Sequence, residues 1–315
     1  MIKERNIAPG ACIQASKIQG LGGNGPYTGD VFHVAKSGIQ ARTWLDGRVP
    51  SNNLCLTVEE AIDKAVAGRG DVVYIAPEHT ENVASAGAVT VDKSNLSIIG
   101  LGNGNARPKF SWSATAGSWL VTSANVAISN IITAPSIDEV VSMFAVSAAG
   151  CTLDRVDHAE YGAKGATGQT IQFLLTTNAA DDLTVQNCRH MQMTAAAADQ
   201  VWIDLVGNTN ARILNNSIHM TAKAATASIC IKGSTATIES EVVRNRIVWF
   251  GNTITSPISF VTTSTGVIAD NYIAMSGAAV LSTVIVGDAM HVFNNYVTNS
   301  AATSGLLCPA VDVIT

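Results

Sequence analysis

Three histidines share one offset from a recurring turn residue: His158, His190 and His219 lie three positions after Arg155, Asn187 and Asn216. If those turns belong to successive layers of one stack, the imidazoles form an outward-facing column with rings about 5 Å apart. Such a column suits a metal ion or a sugar, but zinc needs ligands that converge on one point. A surface row or a subunit contact needs no convergence, so the expectation is a surface column with no metal and no cofactor. Carboxylates crowd the same stretch: Asp154, Asp157, Glu160, Asp181, Asp182 and Asp204. Glycoside hydrolysis sets two carboxyl groups across a scissile bond, roughly 5 to 9.5 Å apart, and Asp157, Asp182 and Asp204 on adjacent layers are the candidates for that chemistry. Two plainer accounts compete. Asp181 and Asp182 open a layer as NAADDLT, where a turn carboxylate is ordinary, and Asp157 with Arg189, each two positions after a turn, would make an ion pair between layers. Trp112, Trp119 and Trp202, read as exposed, offer flat faces either to sugar rings or to a partner subunit.

The element that must hold these residues is a repeat. An apolar residue, a spacer, a turn residue that is nearly always Asn, and more apolar residues recur as NLSIIG, VAISNII, CTLDRVDH, LTVQNCRH, RILNNSIHM, VVRNRIVW, VIADNYIAM and HVFNNYVTN between Asn95 and Asn299. The turn positions are Gly100, Asn130, Arg155, Asn187, Asn216, Asn245, Asn271 and Asn295. A loose period of roughly 24 to 32 residues is the mark of stacked repeats.

Each repeat holds a second apolar strand: SMFAV, TIQFLL, VWIDLV, ASICIK, PISFV and VLSTVIV. Alternation makes Ile203 and Leu205, Ile229 and Ile231, Ile258 and Phe260, and Val284 and Val286 the inward pairs, with Trp202, Asp204, Cys230 and Lys232 outward. No repeat contains a helical period, so the units close as coils of a parallel β-solenoid. Eight coils at about 4.8 Å each give a rod on the order of 35 to 40 Å long. Asn130, Asn187, Asn216, Asn245, Asn271 and Asn295 would then stack, each amide bonding the next along a turn that water does not reach.

Ahead of the repeats the chain reads differently. Residues 1–30 are aperiodic, with glycines gathered in GLGGNGPYTGD, and suit an extended arm; the run neither follows a strand nor opens a helix, as a dinucleotide loop must. VFHVAKSG alternates like a strand. LTVEEAIDKAVAGRG predicts a helix over 57–67, with Thr57 and Glu60 spaced as a capping box, placed to cover the open end of the first coil. The expected organisation is an arm (1–30), an N-terminal cap with its helix (31–94), the solenoid (95–303) and a C-terminal cap or arm (304–315).

The coils from 95 to 299, preceded by DVVYIAPEHTENV and the helix, resemble the right-handed parallel β-helix proteins of the pectate-lyase-like superfamily. The resemblance implies an all-β, right-handed parallel β-helix of about eight or more coils with an N-terminal capping α-helix. That superfamily includes polysaccharide lyases and hydrolases as well as trimeric bacteriophage tailspikes and other virion proteins. Of the hydrolase motifs Asn-x-Asp, Asp-Asp, Gly-His-Gly and Arg-x-Lys, only Asp181 with Asp182 matches; Arg189 and Arg212 are available for lyase chemistry but in no motif.

Composition narrows the classes further. Net charge is −5, only 14% of residues are charged and no Lys/Arg cluster occurs, which argues against nucleic acid as a partner. No run of 18 apolar residues marks a membrane span, and the basic N-terminus lacks the apolar core of a signal peptide. Six scattered cysteines without a CxxC suit free thiols in a reducing compartment. These features favour the phage branch: a homotrimeric capsid decoration or spike protein, made in the host cytoplasm and fixed to the major capsid protein or another virion protein through its arm. A protein that binds or degrades host surface polysaccharide, such as a tailspike depolymerase, is the alternative.

Overall fold

The structure is a computed structural model and describes residues 29–160, 168–191, 200–220, 229–250, 256–276, 284–287, 289–299 and 305–307. Consecutive strands of the chain are dealt in turn to three sheets, which form the walls of one solenoid. The first wall has 11 strands, running from Leu54–Cys55 and Val31–Val34 through Val72–Ile75 to Met290–Phe293. The second has 10 among the described residues: nine from Thr80–Val83 to Asn295–Asn299, and Gly305–Leu307 added antiparallel at the end. The third has 8, from Val89–Val91 to Ile285–Val286, so the chain makes about seven full turns between its first and last strands. All other strand pairs are parallel, and each strand pairs with its counterpart one repeat away. A parallel pair needs a long crossover, and here the other two walls of the coil supply it.

Strand alternation fills a single continuous core from Phe32 to Val297. A file of aromatic rings runs through it: Trp119 meets Phe144 at 5.7 Å, Phe144 meets Phe173 at 5.3 Å, and Phe173 stacks on Trp202 at 5.5 Å. Trp112, Trp119 and Trp202 are thus core residues, contrary to the expectation of exposed faces. Cys230 is inside too, buried beside Ile231, and in the preceding coil Val201 to Leu205 are buried throughout, so strict alternation does not hold where the chain enters the third wall. The described cysteines Cys55, Cys151, Cys188 and Cys230 are free and buried, and burial pushes the Cys188 thiol up to about 12.

The predicted helix forms over Val58–Lys64, with Thr57 Oγ1 accepting from the Glu60 N–H and Glu60 Oε2 accepting from the Leu56 N–H. It ends at Ala65, three residues short of Gly68. A second short helix, Gln40–Leu45, is present that the sequence pattern did not announce. Most of the expected arm, residues 1–28, lies outside the described residues, as do 308–315 of the C-terminal segment.

Candidate functional site

The corner between the first and second walls is two residues wide, and its first residue is left-handed in every coil from Asn130 onward. Asn130, Arg155, Asn187, Asn215, Arg244, Asp270 and Asn294 have φ between 53° and 59°. Asn and Asp visit this region at low cost because their side chains bond locally. The residue that follows points inward: Ile131, Val156 and Cys188 in three coils, then Asn216, Asn245, Asn271 and Asn295 in the next four, all buried. The expected ladder of six asparagines therefore separates into two columns. Asn130 and Asn187 are left-handed turn residues, and the stacked spine consists of Asn216, Asn245, Asn271 and Asn295. Within it the Oδ1 of Asn245, Asn271 and Asn295 accepts both the backbone N–H and the side-chain amide of the asparagine before it, at 2.9 to 3.0 Å, and Asn216 Oδ1 accepts from the Cys188 N–H.

This one-residue distinction decides where the histidines go. Counted from the true turn, His158 and His190 occupy the third position of their coils, while His219 occupies the fourth, because Asn215 and not Asn216 makes the turn. The strand register pairs His158 with His190 but His190 with Ile218, and places His219 beside Met191. The column expected on the outside is thus a pair on the inside, with His158 and His190 buried in the core. His219 alone faces outward, half-buried, its imidazole held below the ordinary value by burial and by the nearby Arg246 and Arg189 guanidiniums.

The strand Asp157–Ala159 consequently carries two different environments back to back. Outward, Asp157 lies under Arg107, whose Nη2 is 2.7 Å from Oδ2. Arg107 comes from the loop after Ser97–Gly100 and also donates to the carbonyls of Gly104 and Arg155. The pairing expected for Asp157 was Arg189, its register neighbour; the ion pair formed reaches back to Arg107 instead. These residues line an open groove of about 290 Å³, shared with Asn103, Arg155, Asn187 and Arg189. Arg155 pairs with Asp154 at 2.8 Å, so three guanidiniums and two carboxylates meet at this corner. The row continues along the outside of the second wall in register, Asp157, Arg189, Ser217, Arg246, Tyr272 and Tyr296, and the last two rings stack at 5.5 Å and 13°.

Inward, His158 Nδ1 lies 3.0 Å from Thr133 Oγ1 and Nε2 lies 3.3 Å from Glu160 Oε1. The same carboxylate oxygen accepts from the Thr170 N–H at 2.7 Å. His158 stacks on His190 with centroids 4.8 Å apart.

The three candidate catalytic aspartates do not come together. Asp157 is on the second wall, and Asp204 lies in the third-wall strand Val201–Val206, near Lys232 and Gln172. Asp182 is a left-handed residue ahead of the first wall, where it accepts from the Asn210 side chain at 2.6 Å. Among the described residues no group of three His, Cys, Asp or Glu side chains is arranged to hold a metal. Two buried ionic clusters near the N-terminal end escaped the sequence reading. His79 Nδ1 accepts from the Lys36 N–H, with Glu81 on its other nitrogen. Asp71 receives the Asp30 and Val66 N–H groups and Arg69. The sequence signal for both was present only as isolated polar residues in apolar runs.

No family profile matches the chain, and no curated protein matches it. Among solved structures, it is similar to a rhamnogalacturonan lyase at 14% identity and a TM-score of 0.42, over 89% of this chain and 90% of the other. It is also similar to ORF18 of Geobacillus virus E2, at 13% identity and a TM-score of 0.34, over 77% of this chain and 57% of the other. The parallel β-solenoid observed is consistent with the fold that the pectate-lyase-like resemblance implies.

Proposed function

We propose that this protein is a structural component of a bacteriophage particle: a right-handed β-helix of about eight or more coils, closed at its start by the helix Val58–Lys64. It acts as a homotrimeric decoration or spike protein, attached to the major capsid protein or another virion protein through the N-terminal arm. One observation carries this reading. Four large apolar side chains are exposed in the segment between the arm and the first full coil: Val31, Trp44, Leu56 and Val66, with Trp44 61% exposed. A surface of that kind at the end where the arm joins suits a permanent protein contact. The dispersal of Asp157, Asp182 and Asp204 over two walls and a corner also favours a structural role over hydrolysis by those residues. Sedimentation of the purified protein as a trimer and its recovery in many copies with virions would support the proposal; a monomer absent from particles overturns it. Removing residues 1–30 is expected to leave the trimer intact and abolish attachment.

A second reading, binding of host surface polysaccharide, is favoured by the outward row on the second wall. Arg189 and Arg246 provide cations, and Tyr272 and Tyr296 provide flat apolar faces, at one residue per coil or about 4.8 Å. Glycan binding lost in an R246A/Y272A variant that still sediments as wild type would support it. Depolymerase activity abolished by Asp157→Asn, Asp182→Asn or Asp204→Asn would instead sink the structural reading.

A further inference from the structure

The inward face of the strand Asp157–Ala159 and its neighbour Arg189–Met191 contributes nothing to either reading, yet it is unusual chemistry for a core. His158 and His190 stack with ring planes 6° apart, sealed from solvent. The two are not equally provided for. His158 has a hydroxyl on one nitrogen and a carboxylate on the other. His190 has both ring nitrogens buried without a hydrogen-bond partner. Its ring faces Trp202 at 6.2 Å and a cavity of about 10 Å³ that Thr170, Gln200 and Met220 help enclose. That volume is at the lower limit for one water molecule and far too small to hydrate a cation.

The geometry points to His190 as an internal proton-binding site that the closed solenoid excludes, so that mild acid opens the coil stack at the strands Asp157–Ala159 and Arg189–Met191. A proton on His190 would sit in a tight pocket against a second imidazole, with no anion in contact among the described residues. Among the described residues the charged and titratable groups around it are few. On its own strand Arg189 faces outward. On the preceding strand His158 lies against it, Asp157 faces outward to Arg107, and Glu160 beyond them has one oxygen committed to His158 and Thr170. On the following strand His219 faces outward. On the third wall Asp204 faces Lys232.

Burial, then His158 and His219, hold His190 well below the ordinary 6.5. An opened chain titrates at the ordinary value. Above that pH both states are neutral and the closed stack keeps its full stability. Below it only the open state takes up the proton, so the balance shifts toward opening by about tenfold per pH unit.

Amide exchange of the wild-type protein at pH 7.5 and pH 5.0, corrected for intrinsic rates, tests this directly. Protection should fall selectively in peptides covering 157–160, 172–191 and 201–206. His33, also held down by burial, lies in the first strand, so its effect would appear at the other end of the rod. Uniform loss, or no loss at these strands, overturns the proposal. A second measurement compares melting temperatures: His190→Phe, which keeps a flat ring without a titrating nitrogen, should lose most of the fall between pH 7.5 and 5.0. His291→Gln, at an exposed position, should retain it. Parallel decline in wild type and His190→Phe is the contrary result, and if His190→Phe does not fold the exchange experiment decides.

Discussion

Asn245 and Asn271 lie one coil apart, and a single oxygen joins them: Asn271 Oδ1 accepts from the Asn245 backbone N–H at 2.9 Å and from its side-chain Nδ2 at 3.0 Å. Asn245 in turn serves Asn216 in the same way and gives its amide to the Ile213 carbonyl at 2.8 Å. The arrangement passes a full set of hydrogen bonds along a corner that water does not reach, so each member satisfies the backbone of the coil before it.

Replacing a member of this spine should therefore cost more than one hydrogen bond. Asn245→Ala leaves the buried Asn216 N–H without its partner and removes the amide bonds to Asn271 and to the Ile213 carbonyl, an expected loss of about 3 kcal/mol. Asn130→Ala, at a turn position, keeps the inward column intact and should cost about 1 to 2 kcal/mol, for left-handed backbone and for the bonds its amide gives to the Gly100 and Gly102 carbonyls. Urea denaturation of the two variants gives the comparison, and equal losses would count against the two-column description.

The Arg107–Asp157 pair is largely shielded, with side chains 13% and 6% exposed. Arg107→Ala removes a guanidinium bonded to a largely buried carboxylate and is expected to destabilise by about 2 to 3 kcal/mol. Asp157→Asn leaves a neutral acceptor of the same shape, so its effect should be smaller. Thermal melts would contradict this if the aspartate substitution proved the more damaging.

Gly266 begins a first-wall strand with φ +134°, and a Cβ there would collide with the Ser240 backbone of the preceding coil. Gly266→Ala is expected to cost more than 2 kcal/mol, since neither the strand nor its neighbour can retreat without breaking the ladder. Gly68→Ala, also at positive φ but with open space around it, should cost about 1 kcal/mol. Melting temperatures in the reverse order would refute the steric account.

Asp71 sets a second, more acidic limit on stability. Burial pushes its carboxyl up, but Arg69 and the Val66 and Asp30 N–H groups outweigh burial and hold it below the ordinary 3.8. The stabilisation is present above the unfolded value and lost as pH falls through it toward the lower folded value. Asp71→Asn should lose about 2 to 3 kcal/mol at pH 7 and show a flatter decline below pH 4. Unfolding curves at pH 7 and pH 3 separate this window from the one near 6.5 ascribed to His190.

The sequence by itself determined the solenoid. Its evidence was local and repeated: apolar alternation twice per unit, a turn residue between, and a helix whose Thr57 and Glu60 announce their own cap. What it left open was a matter of one residue. Each corner has two positions, one left-handed and one inward, and Asn serves both, so doublets such as Asn215 with Asn216 look the same from either side. Because side chains alternate across a strand, that single step turns a histidine from solvent to core. Only the packed coils, through the hydrogen bonds of the Asn216 to Asn295 spine, decided which asparagine turns the chain and which holds it. Likewise the walls, not the coil spacing, separated Asp157, Asp182 and Asp204, and the reach of Arg107 across two coils has no trace in local pattern. Periodicity fixes how high a residue sits on such a rod; which face it occupies follows from the register at the corners, which is a property of the whole stack.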